Sequence, residues 1–386
     1  MIQRIWTGHK ALAIALPAVA VVAIIVASFM LVSRTSGTSQ ASATPVATAT
    51  DSPFPVPTDS PTPTLVPLPT PTINTGPTPL PAGMAYSDLD GMIAPSALAH
   101  RVPIAIMVDN QTTASRPQSG MSMASIVIQA PNDGSSDRYQ MFFQEGTATD
   151  IGPIRSTRPY YVLWANEYKA VLGHFGGDNK VLQITIPQNI HNIYNMDGLH
   201  GGSCAFHRIK TRVIPHNVYT NTAVMLKCVA KKGYPTTYQG LPTRLFREDT
   251  DHSLLPASQS ILIAYRAENV NYQFDPTTDS YIRSEGGKLE VDASNKQQVR
   301  ARSIVVMYQE VGVHYFEPKR ARRTVASVGS GKAIVFQEGK QIAATWKKSS
   351  DTDLTRFYDS TGAEIQFVRG EMFIQSIPSS YKVTVK

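Results

Sequence analysis

The hydrophobic positions divide the chain into three stretches of different character. Residues 11–33 hold 23 positions without one charged side chain, and a helix of that length rises about 35 Å, enough to cross a hydrocarbon core of roughly 30 Å. Residues 34–100 are rich in Pro and Thr, whereas residues 101–386 alternate short apolar runs with turn residues. The pattern predicts a membrane-spanning helix, a linker and a globular body.

Strand signals interrupted by two helix signals mark the first half of the body. Apolar runs bounded by turn residues predict strands at 102–109, 125–130, 138–144 and 169–175. Pro159 in a first turn predicts a helix over the run YYVLWANEY, and Asn221 is the predicted N-cap of a second helix that ends before Gly233. Residues 101–250 are therefore predicted to form a mixed α/β domain.

Strand and turn signals account for almost all of the second half. Strand-like runs recur at residues 261–267, 304–309, 333–337, 341–346, 356–358 and 365–368. A spacing of about 8–12 residues between strands is typical of a small sandwich or curled sheet. We therefore predict an α+β protein in which a mainly antiparallel, β-rich domain at 251–386 follows the α/β domain. The alternative is that the two halves share one sheet.

Composition assigns the first hundred residues to a membrane anchor and a stalk. Residues 44–81 hold 12 of the 27 prolines, and proline favours extended polyproline II over helix or sheet. We predict a cytoplasmic tail at 1–10, a transmembrane signal anchor at 11–33 and a disordered Pro/Thr-rich linker at 34–100. The body then lies outside a single-pass cell membrane. A cleaved signal peptide, with Ala41-Ser42-Ala43 as its cleavage motif, is the alternative.

Charge and cysteine content narrow the function classes. The chain has 36 Lys+Arg and 29 Asp+Glu, a net charge of +7. Two cysteines are too few for a disulfide-stapled scaffold, an iron–sulfur protein or a four-cysteine zinc site. Cys204 and Cys228 either pair in an oxidising exterior or stay free, and their spacing does not decide between these outcomes.

One compact basic run, KRARR at 319–323, is predicted to lie in a loop between strands. Outside a membrane, the partners that suit such a run are anionic wall polymers, lipid head groups or water. No nucleic-acid fold signature accompanies it, so we expect no nucleic-acid partner.

The densest polar constellation lies where strands end and helices begin in the first half. A candidate ligand-binding site is formed by Asp109, Asn110, Arg116, Gln118, Arg155, Ser156, Arg158, His216 and Asn217. Arg155 and Arg158 are three positions apart beside a predicted helix start, where their guanidinium groups can grip a carboxylate or phosphate. The alternative is that one or both pair with Asp109 or Asp178 and hold loops together.

Two other kinds of site are conceivable in the same region. Asp109, Ser156 and either His174 or His216 have the residue types of a catalytic triad, but no G-x-S-x-G elbow surrounds any serine. Four histidines have spacings that match no zinc motif, namely His191, His200, His207 and His216. We therefore predict no catalytic residue, no metal and no cofactor. Non-enzymatic binding is favoured over an envelope hydrolase or transferase.

Several multi-residue blocks carry a family resemblance. They are PIAIMVDN at 103–110, RPQSG at 116–120, GPIRSTRP at 152–159, FHR at 206–208, PHNVY at 215–219 and RFYD at 356–359. Over roughly residues 101–378 the chain resembles the YerB-like bacterial envelope family, which contains the domain of unknown function DUF3048. The resemblance implies an extracytoplasmic, membrane-attached protein with an α/β part and a β part, and it implies no reaction.

These observations together predict the partners of the protein. The membrane is contacted through residues 11–33, and the ligand is an anionic molecule such as a wall fragment, or the carboxylates of an envelope protein. A scaffold that recruits other proteins through exposed strand edges is a third class of function.

Overall fold

A computed structural model of the protein describes residues 80–111, 113–189, 191 and 193–386. The predicted tail, transmembrane anchor and most of the linker lie outside the described residues. Within the part of the chain that is described, no helix is long and apolar enough to cross a membrane.

The elements are mostly short strands. The strands of the first half are β1 Met84–Tyr86, β2 Ile93–Pro95, β3 Ile104–Asn110, β4 Ile126–Pro131, β5 Asp137–Phe143, β6 Val171–His174, β7 Tyr194–Asp197, β8 His207–Arg208, β9 Val218–Tyr219 and β10 Phe246–Arg247. Those of the second half are β11 Ser260–Ile263, β12 Val270–Asp275, β13 Ser280–Glu285, β14 Lys288–Leu289, β15 Arg300–Ala301, β16 Ser303–Tyr308, β17 Val311–Glu317, β18 Arg320–Val325, β19 Gly329–Gln337, β20 Lys340–Lys348, β21 Arg356–Tyr358, β22 Phe367–Val368, β23 Met372–Ile377 and β24 Val383–Val385. The α-helices are α1 Ser96–Ala99, α2 Pro159–Asn166, α3 Ile186–Asn189 and α4 Thr222–Lys231.

Both predicted helices are confirmed. Pro159 is the first residue of α2, where its missing N–H costs no hydrogen bond. Asn221 caps α4, since its side-chain oxygen accepts a hydrogen bond of 2.7 Å from the backbone N–H of Val224.

The prediction of a linker that extends to residue 100 is wrong at its C-terminal end. Residues 84–99 fold as β1, β2 and α1. The reason is burial: Leu89 is 1% exposed within the core, and the Ser87 hydroxyl donates a hydrogen bond of 3.1 Å to Gln144 on the body.

One ten-stranded sheet takes strands from both halves of the body. Its order is β21-β20-β19-β16-β23-β4-β5-β3-β6-β7. β23 joins the halves, because it pairs in parallel with β16 on one side and with β4 on the other. The two halves therefore share one sheet, which is the alternative that the sequence left open. The sheet is mixed, in keeping with an α+β fold.

Both faces of this sheet are covered. Successive residues of β3 enter different cores: Ile104 and Ile106 pack on one face, and Ala105 and Met107 on the other. Alternation of this kind follows from the two-residue period of a strand. The smaller sheet, ordered β14-β13-β12-β11-β24 with β15 beside β13, belongs to the first core, and α2 belongs to the second.

The basic run at 319–323 requires a correction. Residues 320–323 do not form a loop but lie on strand β18, which pairs only with β17 in a two-stranded hairpin. Most residues of the hairpin are half-buried or exposed and a single one is buried, so β18 lacks the apolar alternation that would have predicted a strand.

Candidate functional site

The end of β3 connects two charged clusters on opposite faces of the sheet. Asp109 and Asn110 are its last two residues, and both are buried. Because adjacent strand residues face opposite ways, Asp109 points toward the face that carries Arg155, and Asn110 points toward the face that carries Glu285. The predicted ligand site is therefore divided between two places.

Asp109 anchors two loops. Its carboxylate accepts a hydrogen bond of 2.7 Å from Nδ1 of His216 and lies 3.5 Å from Nε of Arg155. The backbone N–H of Gln111 donates to its other oxygen at 3.1 Å. Asp109 thus holds the loop after β5 and the loop before β9 against the end of β3.

A cavity of about 300 Å³ lies beside Arg155, and we name it the arginine pocket. Its lining residues are Gln111, Asn132, Asp133, Ser136, Arg138, Arg155, Ser156, Arg158, Gly177 and Arg322. The lining thus has four guanidinium groups and one carboxylate, while Asp109, Asp178 and Glu317 lie beside three of these arginines without lining the cavity. A lining of this charge attracts anions.

Arg138 is the unusual member of the arginine pocket. It extends from β5 and is 2% exposed. Among the described residues its Nη atoms bond no carboxylate, and Nη1 instead donates to the backbone oxygen and the hydroxyl of Ser156 at 2.5 and 3.3 Å. Burial, followed by the charge of Arg158, lowers the pKa of Arg138 to about 10, so the group stays protonated at neutral pH. A buried cation is left without a direct counterion.

Asp133 is shared by three residues of the arginine pocket and the hairpin. Its carboxylate accepts from Nη2 of Arg158 at 2.6 Å, from Nη1 of Arg322 at 2.7 Å and from the backbone N–H of Arg323 at 3.0 Å. Burial alone would raise the pKa of Asp133, but these bonds and charges lower it to about 2. Asp133 thus joins Arg158 to the hairpin, and Arg322 has a second carboxylate beside it, that of Glu317 at 3.4 Å.

The two arginines that the sequence singled out are partly paired. Arg158 also lies 3.6 Å from Asp178, and Arg155 lies beside Asp109. The predicted alternative, in which these arginines hold loops together, is therefore present in the structure. Their pairing is incomplete, however. Within the described residues four buried Nε atoms have no hydrogen-bond acceptor, those of Arg138, Arg155, Arg158 and Arg322.

Arg116, which the sequence placed in the same site, lies on the other face. It donates to Asn110 at 2.8 Å and forms ion pairs with Glu268 and Glu285. It lines a separate cavity of about 410 Å³ together with Gln118. Gln118 bonds the backbone oxygen of Asp109 and the side chain of Asn110, both at 3.0 Å. Arg116 and Gln118 thus do not reach the arginine pocket.

Arg116 belongs to a buried set of charges that we name the core network. Its members are Asn110, Arg116, Gln129, Asp137, Tyr139, Arg283, Glu285 and Glu290. Arg283 is fully buried and forms ion pairs with Glu285 and Glu290. Burial and the charge of Glu285 raise the pKa of Asp137 to about 7. The core network therefore keeps its net charge low.

The triad of Ser156, His216 and Asp109 is only partly assembled. His216 is bonded to Asp109, but the Ser156 hydroxyl accepts from Arg138 and Arg158. Among the described residues there is no hydrogen bond between Ser156 and His216.

Asn217 connects two parts of the same loop region, since its side-chain oxygen accepts a hydrogen bond of 2.6 Å from Arg208.

The disulfide and one group of potential metal ligands lie apart from the arginine pocket. Cys204 and Cys228 form a disulfide with Cα atoms 5.7 Å apart, and it closes the segment that carries His216. Asp249, His252 and Asp279 offer metal-ligand atoms within 4.8 Å of one another. Their two carboxylates already accept hydrogen bonds from one arginine, Arg302.

Sequence reasoning missed the three other charged residues of the arginine pocket, as well as its uncharged residues Gln111, Asn132, Ser136 and Gly177. Arg138 was hidden inside an apolar strand run, and Asp133 stands in the turn between β4 and β5. Arg322 was noticed only as part of a basic run. Its side chain reaches the pocket because β18 crosses near that turn, a contact between residues far apart in the sequence.

Comparison with known proteins identifies the family. Residues 89–235 match the family described as "Protein of unknown function (DUF3048) N-terminal domain", and residues 261–374 match its C-terminal domain. The chain belongs to the DUF3048 family. Its resemblance to YerB-like proteins is thereby confirmed, and the two matched regions leave residues 236–260 between them.

YerB of Bacillus subtilis is similar to this DUF3048 protein both in sequence and in structure. A protein of strain 168 named "Putative lipoprotein YerB" is 28% identical over 297 residues, which are 75% of this chain and 85% of the relative. The crystal structure of the YerB protein from Bacillus subtilis has a TM-score of 0.67 and 25% identity, and the match covers 78% of this chain and 99% of that one. The DUF3048 protein therefore shares its fold with a solved relative.

Proposed function

We propose that this protein is a non-catalytic, envelope-associated binding protein whose arginine pocket holds an anionic group of its ligand. The observation that carries the proposal is Arg138, a buried guanidinium that, among the described residues, bonds only the oxygens of Ser156. Burying a cation without a direct counterion costs free energy, and a bound anion would recover that cost.

The donor geometry of the arginine pocket supports an anion rather than a neutral ligand. Guanidinium groups are donors only, and the Nη atoms of Arg138 bond no carboxylate among the described residues. Carboxylate and phosphate oxygens are acceptors that match the arginine fork. A cavity of about 300 Å³ accommodates such a group with part of the molecule that carries it.

The location outside the membrane is the second part of the proposal. A relative named as a lipoprotein supports attachment to a membrane. The disulfide of Cys204 and Cys228 fits an oxidising compartment outside the cytoplasm. The apolar segment 11–33 is the proposed anchor of this chain, in place of a lipid.

Phosphate titration of the full-length protein tests the pocket. Arg155→Ala combined with Arg158→Ala should weaken binding of inorganic phosphate at least about tenfold, because each charge-assisted bond is worth roughly 1.5–3 kcal/mol. A matched control with the same loss of charge is Arg300→Ala combined with Arg356→Ala, whose side chains pair with Asp275 and Glu364 away from the pocket. The proposal is wrong if wild type binds no phosphate, or if the pocket variant binds as the control does.

A hydrolase or transferase is the second candidate, favoured by one contact. Asp109 and His216 are arranged as an orienting carboxylate and a base. Hydrolysis of p-nitrophenyl phosphate that His216→Gln removes, without lowering the melting temperature, would support this candidate. Absence of turnover by wild type would exclude that reaction.

A further inference from the structure

The arginine pocket continues into two neighbouring cavities. A cavity of about 240 Å³ shares Asn132 and Ser136 with it, and a cavity of about 230 Å³ shares Arg322. These two cavities share Arg266 and Arg323 with each other. All three surround the turn at 132–136, and we name them together the arginine groove.

The charge of the arginine groove is strongly one-sided. Its lining contains six arginines, namely Arg138, Arg155, Arg158, Arg266, Arg322 and Arg323. Asp133 is the single carboxylate among the described lining residues. Arg266 is exposed and forms no ion pair within the described part of the chain. One small anion in the arginine pocket would leave Arg266 and Arg323, in the other two cavities, without an ion-pair partner among the described residues.

We infer that the arginine groove binds a polymer that carries a phosphate in each repeat unit. The inference rests on the proposed function, because the arginine pocket is the first of its three cavities. Successive phosphates of one chain can occupy neighbouring cavities, so that each further contact forms within the same complex.

The donors of the arginine groove favour a phosphate chain over an acidic peptide. Guanidinium groups only donate, and phosphodiester oxygens only accept. A peptide would bring one backbone N–H per residue, and each buried N–H needs an acceptor. The six arginine side chains of the lining offer none.

The wall of the arginine groove is held in position before any ligand binds. Hairpin β17–β18 contributes Arg322 and Arg323, and Asp133 bonds both of them. At the far end of the hairpin, the carboxylate of Glu317 accepts from the backbone N–H of Asn179 at 3.0 Å. A fixed wall reduces the ordering cost of binding a long ligand.

Chain-length dependence in the full-length protein tests the inference. The probes are inorganic phosphate, triphosphate and long-chain polyphosphate, with affinities expressed per phosphate group. We expect the affinity per phosphate to rise about tenfold or more from the first probe to the last. Arg266→Ala combined with Arg323→Ala should weaken binding of long polyphosphate about tenfold and leave inorganic phosphate within about twofold.

Salt dependence gives an independent readout of the same variant. The slope of log affinity against log salt for long polyphosphate should fall by about 1.5, since each lost phosphate contact removes roughly 0.7–0.9. Arg300→Ala combined with Arg356→Ala removes the same charge elsewhere and should leave both the affinity and the slope unchanged.

The outcomes separate the two proposals. If polyphosphate binds no better per phosphate than inorganic phosphate, or if the Arg266/Arg323 variant binds it as wild type does, the polymer inference is wrong and the arginine pocket stands. If the Arg155/Arg158 variant retains all binding, the proposed function itself fails. Equal affinity for polyglutamate of the same charge would overturn the assignment to phosphate.

Discussion

The arginine groove and the core network both contain arginines and acidic side chains, but they differ in the ratio of the two. In the core network Arg116 and Arg283 contact three glutamates directly. In the arginine groove six arginines and one aspartate belong to the lining; Arg155, Arg158 and Arg322 also have carboxylates beside them, whereas Arg138, Arg266 and Arg323 form no ion pair among the described residues. The two sets begin at neighbouring residues of β3, where Asp109 faces one set and Asn110 the other.

The contrast separates charges that stabilise the fold from charges that are available to a ligand. A buried guanidinium that is fully bonded to carboxylates has no capacity left for another anion. A guanidinium such as Arg138, which within the described part of the chain bonds only neutral oxygens, keeps that capacity. The ratio of arginines to acids in a cluster is therefore a better guide to binding than the number of arginines.

Removing Arg283 should have the largest effect on stability. Arg283→Met leaves the buried carboxylates of Glu285 and Glu290 without this cation, and loss of one partner of a buried ion pair costs about 3–5 kcal/mol. The free energy of unfolding, measured in urea at neutral pH, should fall by that amount. Arg266→Met, the same substitution in the groove, should change it little. A loss below about 1 kcal/mol in Arg283→Met would contradict a structural role for the core network.

Protonation of Asp133 at low pH should lower the free energy of unfolding. The folded pKa of about 2 lies below the ordinary value of 3.8, so the stabilisation is complete above pH 3.8 and is lost as the pH falls toward 2. Wild type should lose about 2 kcal/mol more than Asp133→Asn between pH 5 and pH 2. The measurement is urea unfolding at a series of pH values, and parallel curves for the two proteins would refute the sharing of Asp133 by Arg158 and Arg322.

Truncating Arg155 should have the smallest effect on stability. Its side chain is 24% exposed and lies 3.5 Å from Asp109, which keeps its bond to His216. Partly exposed pairs contribute about 0–1 kcal/mol, so Arg155→Ala should shift the unfolding free energy by less than that. The same variant should bind phosphate more weakly. A loss well above about 1 kcal/mol would show that Arg155 stabilises the fold, which would contradict its assignment as a ligand-binding residue.

The sequence was a good guide to the buried part of the first half. Strands β3, β4 and β5 are long apolar runs, and the signals at Pro159 and Asn221 started two helices correctly. β12 and β13 were not predicted, because β13 buries the charged side chains of Arg283 and Glu285 among apolar ones. A hydropathy pattern reads such residues as exposed.

The candidate site was predicted only in part for a geometric reason. Asp109, Arg155 and His216 were correctly grouped, since strand ends and loop residues meet there. Arg116 was grouped with them because it is close in sequence, although its partner Asn110 faces the other core. Arg322 joins from a strand almost two hundred positions away, and no local pattern reveals a contact of that kind.

The position of β23 has a consequence for biosynthesis. The ribosome makes this strand after the other nine strands of the large sheet, yet it lies at the centre, between β16 and β4. Until it emerges, both neighbours expose an unpaired hydrogen-bonding edge that can join another chain. An unfinished or C-terminally clipped protein should therefore aggregate, and the sheet of this protein is completed only when synthesis is almost over.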